Sequence, residues 1–225
     1  MRLRERAYQF GPAQAVLVVA SVAAECEAIE AGVAAAGTTD AQAVVTVEAG
    51  VGMANAAAAT AAALAERPYT AVVSVGIAGG LGVPVGGLIL GTASVAADLG
   101  AEAPDGFLSL EDLGLGSSTV ECDADLVERL ATRLPDAVRG PVLTVATATG
   151  TAARAEWLRT RHPAAVAEAM EGFGVATAAA RAGVPFVEVR AISNAVGPRD
   201  RAAWRIGDAL TALQRVGGVL ATLRE

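Results

Sequence analysis

Short apolar runs rich in valine alternate with segments of helical periodicity along the whole chain. Such runs are typical of strands that are buried on both faces of a sheet. Strands are predicted at Ala15–Ala20, Val44–Val47, Ala71–Val75, Pro141–Thr147 and Val184–Asn194, with further strand structure within Val85–Ala96. Because strands and helices alternate, we predict an α/β domain with a central, mixed but mostly parallel sheet flanked by helices.

Apolar residues at spacings of three and four predict the helices between these strands. One begins near Glu25 and ends near Gly32, and the others cover Ala54–Glu66, Asp123–Leu134, Ala153–Arg161, Gly172–Ala182 and a C-terminal segment from Ile206 to Leu223. The segment 98–118 is rich in Gly, Asp and Ser and predicts a long loop. The sequence leaves the role of that loop open.

Length and composition narrow the class of protein. We expect the 225 residues to form one domain, with residues 1–14 as an N-terminal extension. Hydrophobic residues make up 53% of the chain and aromatic residues only 4%, which predicts close packing of small side chains. The 17 basic and 24 acidic residues argue against binding to nucleic acid or to a membrane surface.

The N-terminus permits two interpretations. The charged residues Met1–Arg6 followed by the apolar Ala15–Ala24 resemble a secretory signal. However, Gly11-Pro12 interrupts the pattern, and Ala15–Ala20 is needed as the first strand. No run approaches the roughly 20 apolar residues of a membrane span. We therefore predict a cytoplasmic protein.

The chain has two cysteines and one histidine, too few to suggest a metal site, a disulfide framework or a Ser/His/Asp triad. Cys26 and Cys122 lie far apart without a CxxC pair, so neither a metal site nor a disulfide framework is indicated. The single histidine, His162, leaves no His-based metal cluster and no obvious Ser/His/Asp triad. It stands in a polar run that predicts a solvated loop or a helix end.

Polar residues at strand ends are the best candidates for chemistry. Ser193-Asn194 ends the last predicted strand, and Glu171 starts the helix that leads into it. Ligands of open parallel sheets bind beyond the carboxyl ends of the strands, so Glu171 and Asn194 are predicted to share a pocket. Glu25 and Glu27 follow the first strand. Either could act as a general base, or both could simply favour the helix dipole.

Two glycine-rich segments also follow strands. Gly50-Val51-Gly52-Met53-Ala54-Asn55 approaches the GxGxxG fingerprint, but Asn55 breaks it and no convincing ribose-binding acid follows. A tight turn that starts a helix is at least as good an interpretation as a nicotinamide site. Gly76–Gly80 predicts a glycine-rich turn and lacks the GK[ST] of a Walker loop. Whether its backbone contacts a ligand or is only structural stays open.

Taken together, these pieces resemble the purine nucleoside phosphorylase and nucleosidase superfamily. The resemblance covers most of the chain and is carried by Val16–Ile29, Gly50–Asn55, Ser74–Gly82 and Ala169–Asn194. Its most specific parts are Met170-Glu171 and the strand end Arg190–Asn194. Within the superfamily the chain looks most like the futalosine hydrolase family. The segments that carry this closer resemblance are Ala97–Glu102, Pro104–Phe107, Met170-Glu171-Gly172 and the strand end Ser193-Asn194. A nucleoside phosphorylase-like fold is implied.

The resemblance implies a role for each matching residue. Glu25, with Glu27 as the alternative, would activate the attacking water, and Asn194 would face N7 of the purine. Arg190 would orient Glu25 through an ion pair, although a salt bridge to Glu188 is an equal alternative. The residues implied to bind the nucleoside are Met170, Glu171, Ile77, Ala78, Gly79, Gly150, Thr151 and Arg190.

The implied reaction is hydrolysis of the N-glycosidic bond of a 6-oxopurine nucleoside, with futalosine as the expected substrate and menaquinone biosynthesis as the expected context. No metal or organic cofactor is required. An amide at position 194 suits a 6-oxopurine, whereas the adenine-specific nucleosidases carry an aspartate. Relatives often have Ser or Thr where this chain has Ile77, and no arginine or hydroxyl cluster stands near the glycine-rich segments. Water is therefore expected as the nucleophile.

Several alternatives stay open at this point. The chain could be a phosphorylase, or a nucleosidase acting on inosine, methylthioadenosine or S-adenosylhomocysteine. A dinucleotide-dependent oxidoreductase and a non-catalytic nucleoside-binding domain are the alternatives from other classes. The group on the 5′ position of the ribose is not predicted. A small-molecule nucleoside is the expected partner, and a homodimer or a higher homo-oligomer is the expected assembly.

Overall fold

The computed structural model describes residues 15–37, 44–104 and 106–223. The N-terminal extension predicted at residues 1–14 lies outside the described residues. The strands are β1 (Val16–Ala20), β2 (Val44–Glu48), β3 (Ala71–Gly80), β4 (Leu88–Ala96), β5 (Gly100–Ala103), β6 (Gly106–Ser109), β7 (Thr119–Glu121), β8 (Val138–Thr144), β9 (Ala167–Ala169) and β10 (Phe186–Ala195). The helices are α1 (Ala23–Ala35), α2 (Met53–Glu66), α3 (Ala124–Arg133), α4 (Ala152–Arg161), α5 (Gly172–Ala182) and α6 (Ile206–Leu220).

The main sheet is mixed and mostly parallel, as predicted. β2, β1, β3 and β10 pair in parallel, in that order. β4 then pairs antiparallel to β10, and β8 and β9 continue the sheet in parallel from β4. β9 finally pairs antiparallel with Gly79 and Gly80 at the end of β3, so the sheet curls back on itself. This curl brings the segment after β9 next to the carboxyl ends of the central strands.

Helices flank the sheet and pack closely through glycines. A methyl group on Gly32 of α1 would overlap the carbonyl of Gln214 in α6, and one on Gly217 would overlap the carbonyl of Ile29. Gly174 of α5 lies equally close to the backbone of α2 at Met53. The prediction of close packing between small residues is confirmed.

Two predictions for the middle of the chain are wrong. Gly76–Gly80 is not a turn after a strand, because these residues continue β3 and pair with β10 and β9. The segment 98–118 is not all loop, since it contains the β5–β6 hairpin. That hairpin places the Phe107 ring edge-on to Trp157 of α4, with 5.7 Å between ring centroids.

The short strands β7 and β9 were not predicted. Each has three residues, and each is defined by pairing with a strand distant in sequence. None of the helices in the described ranges is both long and apolar enough to cross a membrane.

Candidate active site

Groups from five segments lie near one edge of the sheet. This edge is formed by the carboxyl ends of the parallel strands β1, β2, β3 and β10, where ligands of such sheets bind. The residues connected there by hydrogen bonds, an ion pair or a shared approach to Gly76 are Glu25, Gly52, Ile77, Glu171 and Arg190. Asn194 lies near the end of β10, beside Gly79.

Glu25 is buried at the start of α1 and reaches across to β3. Its Oε1 accepts a hydrogen bond of 2.8 Å from the backbone N–H of Ile77. Its Oε2 accepts from the backbone N–H and hydroxyl of Ser21, at 3.0 and 2.7 Å, and from the N–H of Val22 at 3.3 Å. Oε2 therefore caps the helix, while Oε1 keeps a lone pair for a further donor. Glu27 is exposed, so only Glu25 joins this cluster.

Glu171 is the residue preceding the first turn of α5, and it is held by backbone donors from two directions. Its Oε1 accepts from the N–H of Gly52 at 3.1 Å, and its Oε2 accepts from the N–H of Met170 at 3.2 Å. Gly52 has φ +96° and directly precedes α2. The 50–55 segment is therefore a tight turn that starts a helix. The turn also fixes the Glu171 carboxylate, whose remaining lone pairs can accept from hydroxyl groups.

Arg190 forms a buried ion pair with Glu188. The two side chains are 1% and 0% exposed, and Nε of Arg190 lies 2.8 Å from Oε1 of Glu188. A second, longer pair joins NH1 of Arg190 to Oε2 of Glu171 at 3.7 Å. Of the two alternatives from the sequence, the Glu188 pair is therefore present. The ion pairs among the described residues include none between Arg190 and Glu25, although both groups face Gly76.

The charge of Arg190 is stabilised by its surroundings. Burial disfavours the charged form, but Glu188, Glu171 and Glu25 together raise the pKa of the guanidinium above its usual value. Burial raises the pKa of Glu188, and Arg190 opposes that effect. The expectation of no arginine near the glycine-rich segments is wrong in one respect, because Arg190 lies beside Gly76. Three carboxylates surround this arginine, so it is a poor site for phosphate.

Asn194 is presented by an irregularity in β10. The pairing of β10 with β3 shifts between Ile192 and Asn194, which leaves Ser193 as the extra residue of a bulge. Asn194 is half-buried, and hydrogen bonds rather than packing hold its amide. Ser193 Oγ donates to Oδ1 at 2.8 Å, and Nδ2 donates to the carbonyl of Ala195 at 3.0 Å. Gly79 faces this amide, since a Cβ there would lie 3.4 Å from Nδ2.

The other predicted binding residues make fewer contacts with the cluster around Glu25, Glu171 and Arg190. Ala78 is buried and Met170 is half-buried, packed against a cluster that includes Val196. Gly150 lies beside the aliphatic part of Arg199. The Thr151 hydroxyl is exposed and accepts from the N–H of Arg154 at 3.2 Å, which caps α4. No hydrogen bond found in the described ranges joins Thr151 to the other predicted side chains.

Three contributors to this cluster were missed by sequence reasoning. Ser21 donates a hydrogen bond to Glu25, and Gly52 donates one to Glu171. No local sequence pattern predicts either contact. Ser74 on β3 accepts a hydrogen bond of 3.1 Å from NH2 of Arg190. A polar residue inside an apolar strand was the available signal for Ser74.

The cysteines and the histidine lie in structural positions. Cys26 and Cys122 are free and buried, and burial is the main cause that raises the pKa of Cys26 to about 11 and that of Cys122 further. His162 ends α4, one of the two positions that the sequence predicted. Within the described ranges there is no group of three His, Cys, Asp or Glu residues that could hold a metal ion.

The arrangement is suited to cleaving a bond between a sugar and a base. Glu25 can take a proton from water, Glu171 can bind a pair of sugar hydroxyls, and Asn194 can bind a heteroaromatic ring through its donor and acceptor. Arg190 places a fixed positive charge between the two carboxylates.

Solved structures of nucleosidases have a closely similar fold. The methylthioadenosine/S-adenosylhomocysteine nucleosidase of Neisseria meningitidis, in complex with methylthio-immucillin-A, superposes with a TM-score of 0.77 at 20% identity and covers 93% of this chain and 99% of that one. The futalosine hydrolase of Helicobacter pylori gives a TM-score of 0.75 at 16% identity, with coverage of 93% and 96%. At these identities the likeness concerns the fold, and it confirms the predicted nucleoside phosphorylase-like architecture.

Comparison of sequences is more specific. The family model of the phosphorylase superfamily matches residues 13–223. A futalosine hydrolase of Streptomyces coelicolor is 59% identical over 184 residues, which are 79% of this chain and 78% of that protein. A futalosine hydrolase of Acidothermus cellulolyticus is 48% identical over 217 residues, or 91% and 89% of the two chains. The chain therefore belongs to the phosphorylase superfamily and, within it, to the futalosine hydrolase family.

Proposed function

We propose that this protein hydrolyses the N-glycosidic bond of futalosine and releases hypoxanthine and dehypoxanthine futalosine. The observation that carries the proposal is the 59% identity to the futalosine hydrolase of Streptomyces coelicolor. Glu25, Glu171 and Asn194 would supply the groups that this chemistry needs, and the position of Asn194 near the carboxyl end of β10 supports this assignment.

In the proposed reaction the ribosyl group passes through a state with oxocarbenium character, as in glycoside hydrolysis. Glu171 accepts hydrogen bonds from the 2′ and 3′ hydroxyls and fixes the sugar. Glu25 takes a proton from the attacking water through Oε1, since Oε2 is already occupied by three donors. General-base assistance of this kind contributes roughly 10²–10⁴-fold to a rate.

Asn194 is proposed to stabilise the departing base. Its half-buried amide can donate to N7 or to the 6-oxo group of hypoxanthine. The amide is already oriented by Ser193, so little reorganisation is required when the base leaves. Ile77, Ala78, Gly79, Met170, Gly150 and Thr151 are proposed to line the remainder of the nucleoside site.

Water is proposed as the nucleophile in place of phosphate. The Arg190 guanidinium, which could otherwise bind phosphate, is already paired with the carboxylates of Glu188 and Glu171. A single nucleoside phosphorylase-like domain, a cytoplasmic location, a role in menaquinone biosynthesis and a homodimeric or higher assembly complete the proposal. Light scattering would test the assembly: a mass near 22.4 kDa, that of one chain, would contradict it.

The experiment that tests the substrate is a comparison of kcat/KM for futalosine, inosine and methylthioadenosine, with base release followed by chromatography. We expect futalosine to be the preferred substrate and hypoxanthine to be the base released from it. A higher kcat/KM for methylthioadenosine would contradict the proposal. Binding of futalosine without any base release would instead indicate a nucleoside-binding domain.

A further inference from the structure

The buried pair of Glu188 and Arg190 has no evident purpose in stabilising the fold. Both side chains lie inside the sheet and are 0% and 1% exposed. Replacing a buried ion pair by apolar side chains of similar volume is often neutral or stabilising, because two charges must be taken out of water. Glu188 is also too deeply buried to touch a substrate. Its presence therefore calls for a different explanation.

The surrounding backbone leaves space specifically for these two side chains. A methyl group on Gly172, the residue after Glu171, would overlap both carboxylate oxygens of Glu188. A Cβ on Gly91 of β4 would lie 3.0 Å from Cβ of Glu188, and one on Gly76 of β3 would lie 2.6 Å from NH1 of Arg190. Glycines from three segments thus accommodate the pair.

Glu188 and Ser74 together determine where the guanidinium points. Nε of Arg190 donates to Glu188 at 2.8 Å, and NH2 donates to Ser74 at 3.1 Å. With two of its three nitrogens bound, the planar group can present only NH1 toward the sheet edge. NH1 lies 3.7 Å from Oε2 of Glu171 and also faces the space beside Gly76 that Glu25 borders.

The resulting distance to Glu171 matters for binding. A separation of 3.7 Å is too long for a direct hydrogen bond, although the charges still attract. The carboxylate of Glu171 therefore keeps lone pairs that its backbone donors, Gly52 and Met170, do not use. Without Glu188, the guanidinium could turn and form a bidentate pair with Glu171, which would occupy those lone pairs.

We infer that Glu188 is a positioning residue, which anchors Arg190 so that its charge lies beside Glu171 and Glu25 without engaging the acceptors that the ribose needs. Glu188 thus acts through Arg190 and does not contact the nucleoside. This inference rests on the proposed function, in which Glu171 binds the ribose hydroxyls.

The test uses Glu188→Gln in the full chain, since glutamine keeps the volume but removes the charge that binds Arg190. We expect kcat for futalosine to fall by about 10- to 100-fold, as a displaced positioning group can cause. Hypoxanthine affinity should stay at its wild-type value, because Glu188 does not contact the base site, whereas Tm should fall, because Arg190 is left buried without its charge partner. Glu128→Gln is the matched control: Glu128 is exposed and pairs with Arg139 at 2.5 Å. That variant should keep wild-type kcat.

Gly172→Ala is the second variant, because its added methyl group would displace Glu188 without altering any charge. We expect it to lower kcat as well and to leave hypoxanthine affinity unchanged. A folded Glu188→Gln protein with kcat within about twofold of wild type would overturn the inference. So would equal losses of kcat and hypoxanthine affinity, or unfolding of both variants, because these results indicate a structural role.

The inference and the proposed function can fail separately. If the wild-type protein does not cleave futalosine, the proposed substrate is wrong, and the variants are then compared on the nucleoside that it does cleave. If the wild-type protein cleaves no nucleoside, both are refuted.

Discussion

Glu25 and Glu171 are each fixed by backbone N–H groups of a neighbouring segment before any substrate arrives. Glu25 binds Ile77 of β3, and Glu171 binds Gly52 at the start of α2. Such preorganised carboxylates need little rearrangement when a substrate binds, which favours the transition state. Each carboxylate also joins two elements of the fold. Substitution at either position therefore affects both activity and stability, and the two effects must be measured separately.

Glu25→Gln is expected to lower kcat for futalosine by roughly 10²–10⁴-fold, the contribution of a general base. The variant should also lose some stability. If the glutamine oxygen replaces Oε2 at the cap, its NH2 group faces the N–H of Ile77, and such an unpaired donor costs about 1–3 kcal/mol. Steady-state kinetics and thermal unfolding separate the two effects. Glu27→Gln is the control, because Glu27 is exposed. Loss of activity in that variant alone would refute the assignment to Glu25.

Asn194→Asp is expected to shift selectivity from 6-oxopurine toward 6-aminopurine nucleosides. The Asn194 amide can donate one hydrogen bond and accept another. N7 of adenine needs a donor and its 6-amino group needs an acceptor, so the amide would often leave one of these two groups poorly paired. Such a mismatch costs about 1–3 kcal/mol, or about 5- to 150-fold in selectivity. The ratio of kcat/KM for inosine and adenosine measures the effect in both proteins. It should change most below neutral pH, where the acid is partly protonated. An unchanged ratio would mean that residue 194 does not contact the base.

Among the secondary-structure elements at the site, β3 was predicted only in part. The sequence predicts a strand at 71–75 followed by a glycine-rich turn, whereas the strand continues through Gly80. Glycine has low strand propensity, and only the pairing with β10 and β9 keeps these residues extended. Long-range pairing of this kind is invisible in local periodicity. The same limitation explains why β7 and β9 were missed, whereas the β5–β6 hairpin is local and was missed because its strands have only four residues each and include glycines.

Patterns confined to one element were predicted well. The valine-rich runs gave β1, β2 and β10 to within two residues, and Glu171 stands immediately before α5 as expected. For the site, the sequence placed Glu171 and Asn194 at strand and helix ends but could not choose between Glu25 and Glu27. That choice depends on which side of α1 faces β3. The hydrogen bond to Ile77 is the geometric observation that favours Glu25.

Gly79→Ala tests the contribution of β3 to the presentation of Asn194. The new methyl group would lie 2.8 Å from Cγ2 of Val196, so Val196 must move, and the shift would be passed to Asn194, two residues earlier in the chain. We expect kcat/KM for futalosine to fall by about 10- to 100-fold, as for other small displacements of a site. Gly207→Ala in α6 is the control, because no atom lies within 4 Å of its added Cβ. Equal activity of the two variants would contradict a role for the close approach at Gly79.

Considered as a whole, the molecule is a sheet that curls back on itself near the proposed site, with β1 and β2 lying outside the curl. β9 joins the end of β3, and this contact brings Glu171 back beside strands that lie far away in sequence. Glycines let α1 pack on α6 and α2 on α5 at close range, which fixes the helix that carries Glu25 and the helix that follows Gly52. The geometry of the site therefore depends on the pairing of β9 with β3 and on the two helix pairs.

The central claim is that this fold hydrolyses futalosine with water. The most direct measurement is an incubation of the purified protein with futalosine in phosphate-free buffer, in which hypoxanthine and the sugar product are both quantified. The account predicts continued turnover, with one equivalent of hypoxanthine and one of the free sugar, and no acceleration when phosphate is added. A requirement for phosphate, with a sugar 1-phosphate as the second product, would contradict it.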